Sequence, residues 1–208
     1  MDNKQAPICG SIIFVMMKRN PKVNYSSELL TSLQKNHVLL RIIGSNQMLG
    51  GDDTSIMYNL AVKTDGMYVF SDDDRFGWVS DFFIYEPTFT YLYYVQNPTV
   101  SGKQILTLPQ FVTPVDHSPI TTVYAEFTVE SHKLTEDVND VWLSVYNGVD
   151  RPLNANCDQF LLSNDTHCYG TALFSTNKSF HVVLNVDYSS DDLQHIEVRI
   201  WTSTSVIF

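Results

Sequence analysis

Residues 179–208 read SFHVVLNVDYSSDDLQHIEVRIWTSTSVIF. In steps of two, Phe180, Val182, Leu184, Val186 and Tyr188 fall on one face, and Ile196, Val198 and Ile200 repeat the pattern after Ser189-Ser190-Asp191-Asp192. An apolar period of two interrupted by a polar, turn-forming cluster predicts a β-hairpin. The opposite faces carry His181, Asn185 and Asp187, then His195, Glu197 and Arg199. Water or another layer of polar groups must lie on that side.

Two more segments repeat this logic. Thr121–Glu130 points Val123, Ala125, Phe127 and Val129 inward and Thr122, Tyr124, Glu126, Thr128 and Glu130 outward. Val141, Leu143 and Val145 alternate with Trp142, Ser144 and Tyr146 ahead of Asn147-Gly148, a strong tight-turn pair. Further strands are expected at Ile12–Met17, His37–Ile43, Ser55–Val62, Gly66–Phe70, Gln104–Leu108 and Thr171–Ser175. One helix is expected at about Ser26–Asn36, where Leu29, Leu30 and Leu33 form a stripe and Asn24 or Ser26 can cap the first turn. The chain therefore reads as all-β, an antiparallel sandwich or barrel of about ten to twelve strands with one short helix. A single domain over residues 1–208, with 1–7 flexible, suits this length.

Composition narrows the partners. The net charge of −10 repels nucleic-acid backbones and anionic lipid, and no apolar run is long enough to insert in a membrane. The charge is uneven: residues 1–44 hold six basic and two acidic side chains, against seven and twenty-one in the remainder. Such asymmetry reads as scattered surface lysines or as a segment that faces a different neighbour. Charged residues make up 17% of the chain, so the surface leans on hydroxyl and amide groups, which cost less to desolvate than charges. No secretory signal is read at the start, because Lys18-Arg19 follow the apolar run instead of preceding it. Of three cysteines, Cys157 and Cys168 close a short loop and can pair in an oxidising medium.

Reactive constellations are weak. Asp116-His117-Ser118 sets three triad residue types side by side, but a triad assembles in space and neighbours point apart. Cys157, Asp158, His167 and Cys168 lack the spacing of a zinc site. Asp72-Asp73-Asp74 with Gly77 resembles half a calcium loop, yet Phe76 and Phe83 occupy positions that need oxygen ligands. The glycine-bearing loop at residues 44–53 lacks the lysine of a phosphate-binding loop. Asn24, Asn164 and Asn177 begin formal glycosylation acceptors, about as many as chance supplies in a chain so rich in Asn, Ser and Thr. No cofactor and no metal is expected.

The densest aromatic section runs from Trp78 to Val95, with Phe82, Phe83, Tyr85, Phe89, Tyr91, Tyr93 and Tyr94, and is expected as two strands meeting at Pro87. These rings are too many for one inward face, so some face outward, and large rigid rings among Ser, Thr and Asn suit recognition. Tyr91 and Tyr93 share a strand face and are the candidate self-association positions, giving a homodimer. Strands such as Thr88-Phe89-Thr90-Tyr91-Leu92-Tyr93-Tyr94, with long proline-broken loops and an acidic, Tyr/Thr/Asn-rich surface, resemble viral capsid surface domains. Among these the protruding spikes of small RNA viruses, the astrovirus type first, are most similar in style. The resemblance implies a β-barrel or sandwich on the virion surface, made in the host cytoplasm, pairing with its own copies and meeting a host receptor, protein or glycan, and antibodies. It carries no site residues. The expected function is thus non-enzymatic attachment. The alternatives are a secreted adhesin or lectin, and a small β-barrel hydrolase or isomerase drawing on His117, His167, His181 or His195.

Overall fold

The computed structural model describes residues 9–50, 53–88, 91–115, 118–129, 138–156 and 165–202. The chain begins with alternating strands and helices: β1 (Ile12–Arg19), α1 (Ser27–Lys35), β2 (Leu39–Leu49), α2 (Ser55–Lys63), β3 (Met67–Ser71), a 3-10 turn at Asp73–Arg75 and α3 (Phe76–Thr88). The three strands form a parallel sheet in the order β1-β2-β3. Parallel neighbours need a crossover between them, which α1 and α2 supply. Ser26 caps α1, its Oγ accepting from the Leu29 N–H at 3.1 Å.

The segment expected as a strand at Ser55–Val62 is therefore α2, with Tyr58, Leu60 and Ala61 buried along it. The expected strand from Trp78 toward Pro87 is α3, which buries Val79 and Phe83. The loop expected from residue 44 is instead a continuation of β2 as far as Leu49. Two glycines let this sheet close up. A Cβ on Gly66 would stand 1.9 Å from the Leu40 carbonyl oxygen, and one on Gly44 would stand 2.1 Å from the Tyr68 hydroxyl.

The remainder is a nine-stranded antiparallel sheet: β4 (Tyr91–Gln96), β5 (Thr99–Val100), β6 (Lys103–Val112), β7 (Ile120–Val129), β8 (Val138–Tyr146), β9 (Leu153–Asn156), β10 (His167–Ser175), β11 (Ser179–Tyr188) and β12 (Gln194–Thr202). Its order is β4-β12-β7-β10-β9-β8-β11-β6, with β5 on β12. It curls into a nearly closed barrel. The twelve strands and the antiparallel predominance agree with the sequence. The expected inward residues of β7, β8, β11 and β12 all meet in one core, where Phe174, Phe180 and Phe111 stack in series. Pro109 sits in β6, an end strand, where a missing N–H disturbs no ladder.

The predicted hairpin is corrected. β11 pairs with β6 and β8, while β12 pairs with β7, β4 and β5. The Ser189–Asp192 turn therefore carries the chain between the two halves of the barrel instead of joining partners.

The parallel sheet lies against the outside of β7, β10 and β12. Edge strand β3 meets side chains there instead of another strand. The Tyr68 N–H donates to Glu197 Oε2 (2.8 Å), and its carbonyl accepts from Thr128 Oγ1 (3.0 Å). The Phe70 N–H donates to Thr166 Oγ1 (2.9 Å), and its carbonyl accepts from the Thr166 N–H (3.0 Å). An edge that would otherwise template aggregation is thereby satisfied. The polar layer predicted opposite the β12 core face is this contact, whereas the same side of β11 faces solvent.

Candidate functional site

Chemistry-bearing side chains gather in two places. The first is the contact between the two sheets. Arg41 from β2 makes a two-pronged ion pair with Glu126 of β7 (2.6 and 2.9 Å), and Glu126 also meets His167 Nε2 (2.9 Å) and accepts from Trp201 Nε1 (2.5 Å). The guanidinium lies 3.9 Å from the Phe83 ring centroid. Burial by itself would raise the Glu126 carboxyl. The Arg41 charge and the bonds from His167 and Arg41 overcome that and hold it well below the usual carboxylate range.

Beside it, Arg199 donates from Nε to the Asp65 and Gly66 carbonyls and from Nη1 to the Gln96 and Val198 carbonyls and Asn97 Oδ1. Burial pushes the Glu197 carboxyl up to about 8, against the pull of Arg199 and the Tyr68 N–H bond. At neutral pH Glu197 is therefore mostly protonated. These groups are buried, and the bonds of Arg41, Glu126 and His167 to one another, of Glu197 to Tyr68 and of Arg199 to the backbone fasten the two sheets. Among the described residues, Arg41 Nε, Glu197 Oε1 and Arg199 Nη2 make no hydrogen bond.

The second place is open. On the outer face of β8, β9 and β11 a groove of about 560 Å³ is lined by Trp142, Ser144, Tyr146, Asp150, Asn154 and Val183, with Gly148 and Pro152 at the turn. Register sets its floor: Ser144 lies opposite Val183 on one side and Asn154 on the other. Because inward Val141, Leu143 and Val145 fill the core, Trp142, Ser144 and Tyr146 must point out. His181, opposite Tyr146, stacks on its ring at 5.4 Å and 25°.

Ser144 Oγ donates to Asn154 Oδ1 at 2.6 Å. Asp150 accepts from Asn147 Nδ2 (2.9 Å), the Ser175 N–H (3.1 Å) and Ser175 Oγ (2.8 Å). Its burial penalty is outweighed by the Ser175 and Asn147 bonds, which keep the carboxyl below its ordinary value. The groove thus has a fixed carboxylate, an oriented amide, one half-buried ring system at Trp142 and one exposed ring at Tyr146.

The residues singled out from sequence are distributed differently. Tyr91 and Tyr93 lie on β4, an end strand of the nine-stranded sheet, with 45% and 40% of their surface exposed. Both rings are thus at the surface and not between sheets. His167 is committed to Glu126, His181 to Gln110 (3.1 Å) and the Tyr146 ring, and His195 to Thr99 (3.1 Å). Those three do not converge, and His117 lies outside the described residues. Asp73 is held by Lys18 and Ser45, and Asp72 by Asn46, so cationic and amide partners relieve the acidic tip. Among the described residues no His, Cys, Asp and Glu group has the geometry for a metal ion. Cys168 is buried and disulfide-bonded, and Cys9 is free and exposed. Cys157 and Asp158 lie outside the described residues.

Sequence reasoning placed Trp142, Ser144 and Tyr146 on the outer face without marking them as a site. The available signal was two aromatics four apart on the solvent side of a strand whose other side is wholly aliphatic.

Residues 96–203 match the family model described as Domain of unknown function (DUF7154), and the chain belongs to this family. The matched region contains the groove and excludes the parallel sheet. No curated protein matches the chain. Among solved structures, the chain is similar to the acidic stable capsid structure of Helicobacter pylori bacteriophage KHP30. That match has 10% identity and a TM-score of 0.33, covering 54% of this chain and 89% of that one. It is also similar to the P-domain of Macrobrachium rosenbergii nodavirus (12% identity, TM-score 0.28, 53% and 89% covered). The Penaeus vannamei nodavirus P-domain gives 17% identity and a TM-score of 0.27, with 53% and 96% covered.

Proposed function

We propose that this DUF7154 chain is a non-enzymatic recognition domain that meets its partner on the outer face of β8, β9 and β11. The observation that carries the reading is the groove itself, where half-buried Trp142 and exposed Tyr146 share the outer face of β8 and the polar side chains of Ser144, Asn154 and Asp150 complete the lining. Rigid rings in a polar frame bring large contact area at small entropic cost, which suits binding. The enclosed Arg41–Glu126–His167 cluster, by contrast, holds the fold together.

The disulfide at Cys168 supports an oxidising setting. A virion surface and an extracellular surface are both of this kind. Two contexts follow: a capsid spike that attaches to a host receptor and draws antibodies, or a secreted adhesin. Self-association through Tyr91 and Tyr93 remains part of the proposal in either context.

The test is binding of the purified domain to panels of cultured cells by flow cytometry, with Trp142→Ala and Tyr146→Ala beside the parent. Saturable binding that both substitutions abolish is expected. Binding that both leave intact would move the site elsewhere, and turnover of a chromogenic ester or glycoside panel lost on His181→Ala would favour the hydrolase instead.

A further inference from the structure

We infer that the groove takes a neutral oligosaccharide of two or three units, an assignment that rests on the recognition reading above. Four features of the groove select this ligand class.

The first is what the backbone withholds. β8 is paired on both sides, with β11 and with β9, over the residues that floor the groove. Its N–H and C=O groups are therefore spent, and a peptide cannot add itself as a strand. A ligand on this floor is held by ring contact and by hydrogen bonds from side chains and from the turn at Gly148 and Pro152, not by added strand pairing.

The second is spacing. Trp142 and Tyr146 are four residues apart on one strand, about 13 Å at 3.3 Å per residue. That is too far for the rings to close as a cage on one ammonium group. It matches two separate contact sites at the ends of a short chain of rings, one on half-buried Trp142 and one on the Tyr146 ring beside its stacking partner His181. Sugar rings present C–H faces to stack on the electron-rich face of an aromatic ring, with hydroxyls left at the edge for the polar groups between.

Hydrogen-bonding capacity is the third. A carboxylate has about four acceptor sites, and three of Asp150's are filled by Asn147 and Ser175. One acceptor remains. Asn154 spends its Oδ1 on Ser144, and among the described residues its Nδ2 and the Trp142 Nε1–H have no partner. An acceptor and an amide donor in one groove suit the hydroxyls of a sugar, which both donate and accept.

The fourth is charge. The residues lining the groove include Asp150 and no basic side chain, on a chain of net charge −10. Sialylated, sulfated or phosphorylated ligands would meet this carboxylate's repulsion, with Lys178, a cation already acting on Asp150, outside the lining. A neutral sugar meets none.

The experiment titrates the full chain against an array of neutral gluco-, manno- and galacto-configured oligosaccharides with their sialylated and sulfated counterparts. Hits are followed by calorimetry at low and high salt. The expected result is binding to a neutral member with an affinity that changes less than twofold between the two salts. Trp142→Ala should weaken it at least tenfold, Trp142→Phe should restore most of it, and Leu193→Ser, on an exposed turn remote from the groove, should leave it unchanged. Tyr146→Ala provides a second reading if Trp142→Ala melts early. Preference for the anionic members, or neutral binding indifferent to both ring substitutions, overturns the assignment. If no sugar binds but cell binding still falls with Trp142→Ala, the sugar is wrong and the recognition face stands. If cell binding survives that substitution, both are wrong.

Discussion

Removing Arg41 from its enclosure against Glu126 gives the sharpest test of how the two sheets are held. Arg41→Met keeps most of the aliphatic stem but removes the guanidinium from over Phe83 and leaves Glu126, 3% exposed, with only His167 and Trp201. Breaking one side of a buried pair costs about 3–5 kcal/mol because the remaining charge cannot reach water. Set against a usual total of about 5–15 kcal/mol, this is a large fraction. With a urea slope of about 2 kcal/mol per molar, the midpoint should fall by about 1.5–2.5 M. Glu126→Gln should cost a similar amount, and the double variant should cost at least about 1 kcal/mol less than the two singles added.

The pH dependence has a defined sign. In the parent, Glu126 titrates below its unfolded value. Its contribution is therefore present above the ordinary carboxylate range and lost as pH falls through the folded value. Arg41→Met should thus be most damaging near neutrality and less so in acid. Urea unfolding of the four proteins, followed by circular dichroism at pH 7 and at about pH 3, measures all of this. A single-variant cost under about 1 kcal/mol at pH 7, or singles that add to within about 0.5 kcal/mol, would refute the claim that this pair fastens the sheets.

Three further outcomes are expected. Glu197 titrates near 8 when folded and near 4.5 when unfolded, so its burial weakens the fold progressively as pH rises through that window. Glu197→Gln, which still accepts from the Tyr68 N–H, should stabilise the protein by a few kcal/mol at pH 8.5 and change little at pH 4, as read by thermal melts. Gly66→Ala drives a Cβ into the Leu40 carbonyl and should cost at least about 2 kcal/mol in urea unfolding, since backbone on both sides must move. If the chain self-associates through β4, light scattering at micromolar concentration should give about twice 23.7 kDa, with Tyr91→Ser/Tyr93→Ser returning it to one copy. A parent that already scatters as one copy ends that proposal.

Much of the barrel was legible because its inner faces obey a strict period of two. Val123 to Val129, Val141 to Val145, Phe180 to Tyr188 and Ile196 to Ile200 all point as that period requires. Pairing was not legible. The turn Ser189–Asp192 has the composition of a hairpin, yet β11 and β12 each find two better partners far away in sequence, and local chemistry carries no record of such choices. The helices α2 and α3 were hidden for another reason. α2 packs Tyr58, Leu60 and Ala61 into a core that also takes part of Met57 and Val62. A helix enclosed on several sides loses the polar face that betrays the 3.6 period. In α3 the aromatic content imitates a strand, and only the crossover geometry of the preceding parallel sheet shows otherwise.

The same reasoning explains why the groove was harder to see than the core. Outward residues on β7 and β12 (Glu126, Thr128, Glu197, Arg199) and on β8 and β11 (Trp142, Ser144, Tyr146, His181, Val183) alternate with equal regularity. In composition the first set looks more exposed than the second. The fold reverses that expectation: the charged set is buried under the parallel sheet, with Glu197 and Thr128 bonded to the β3 edge, while Tyr146 and His181 stay exposed and Trp142 and Val183 half-exposed. A charged residue is tolerated inside when partners meet it, and here an unpaired strand edge supplies donors and acceptors that aliphatic side chains could not satisfy. No such second layer rests on Trp142 and Tyr146 among the described residues. The uncovered parts of the Trp142 and Tyr146 rings add little to the sheet's stability, so they are the part of this surface with something left to bind.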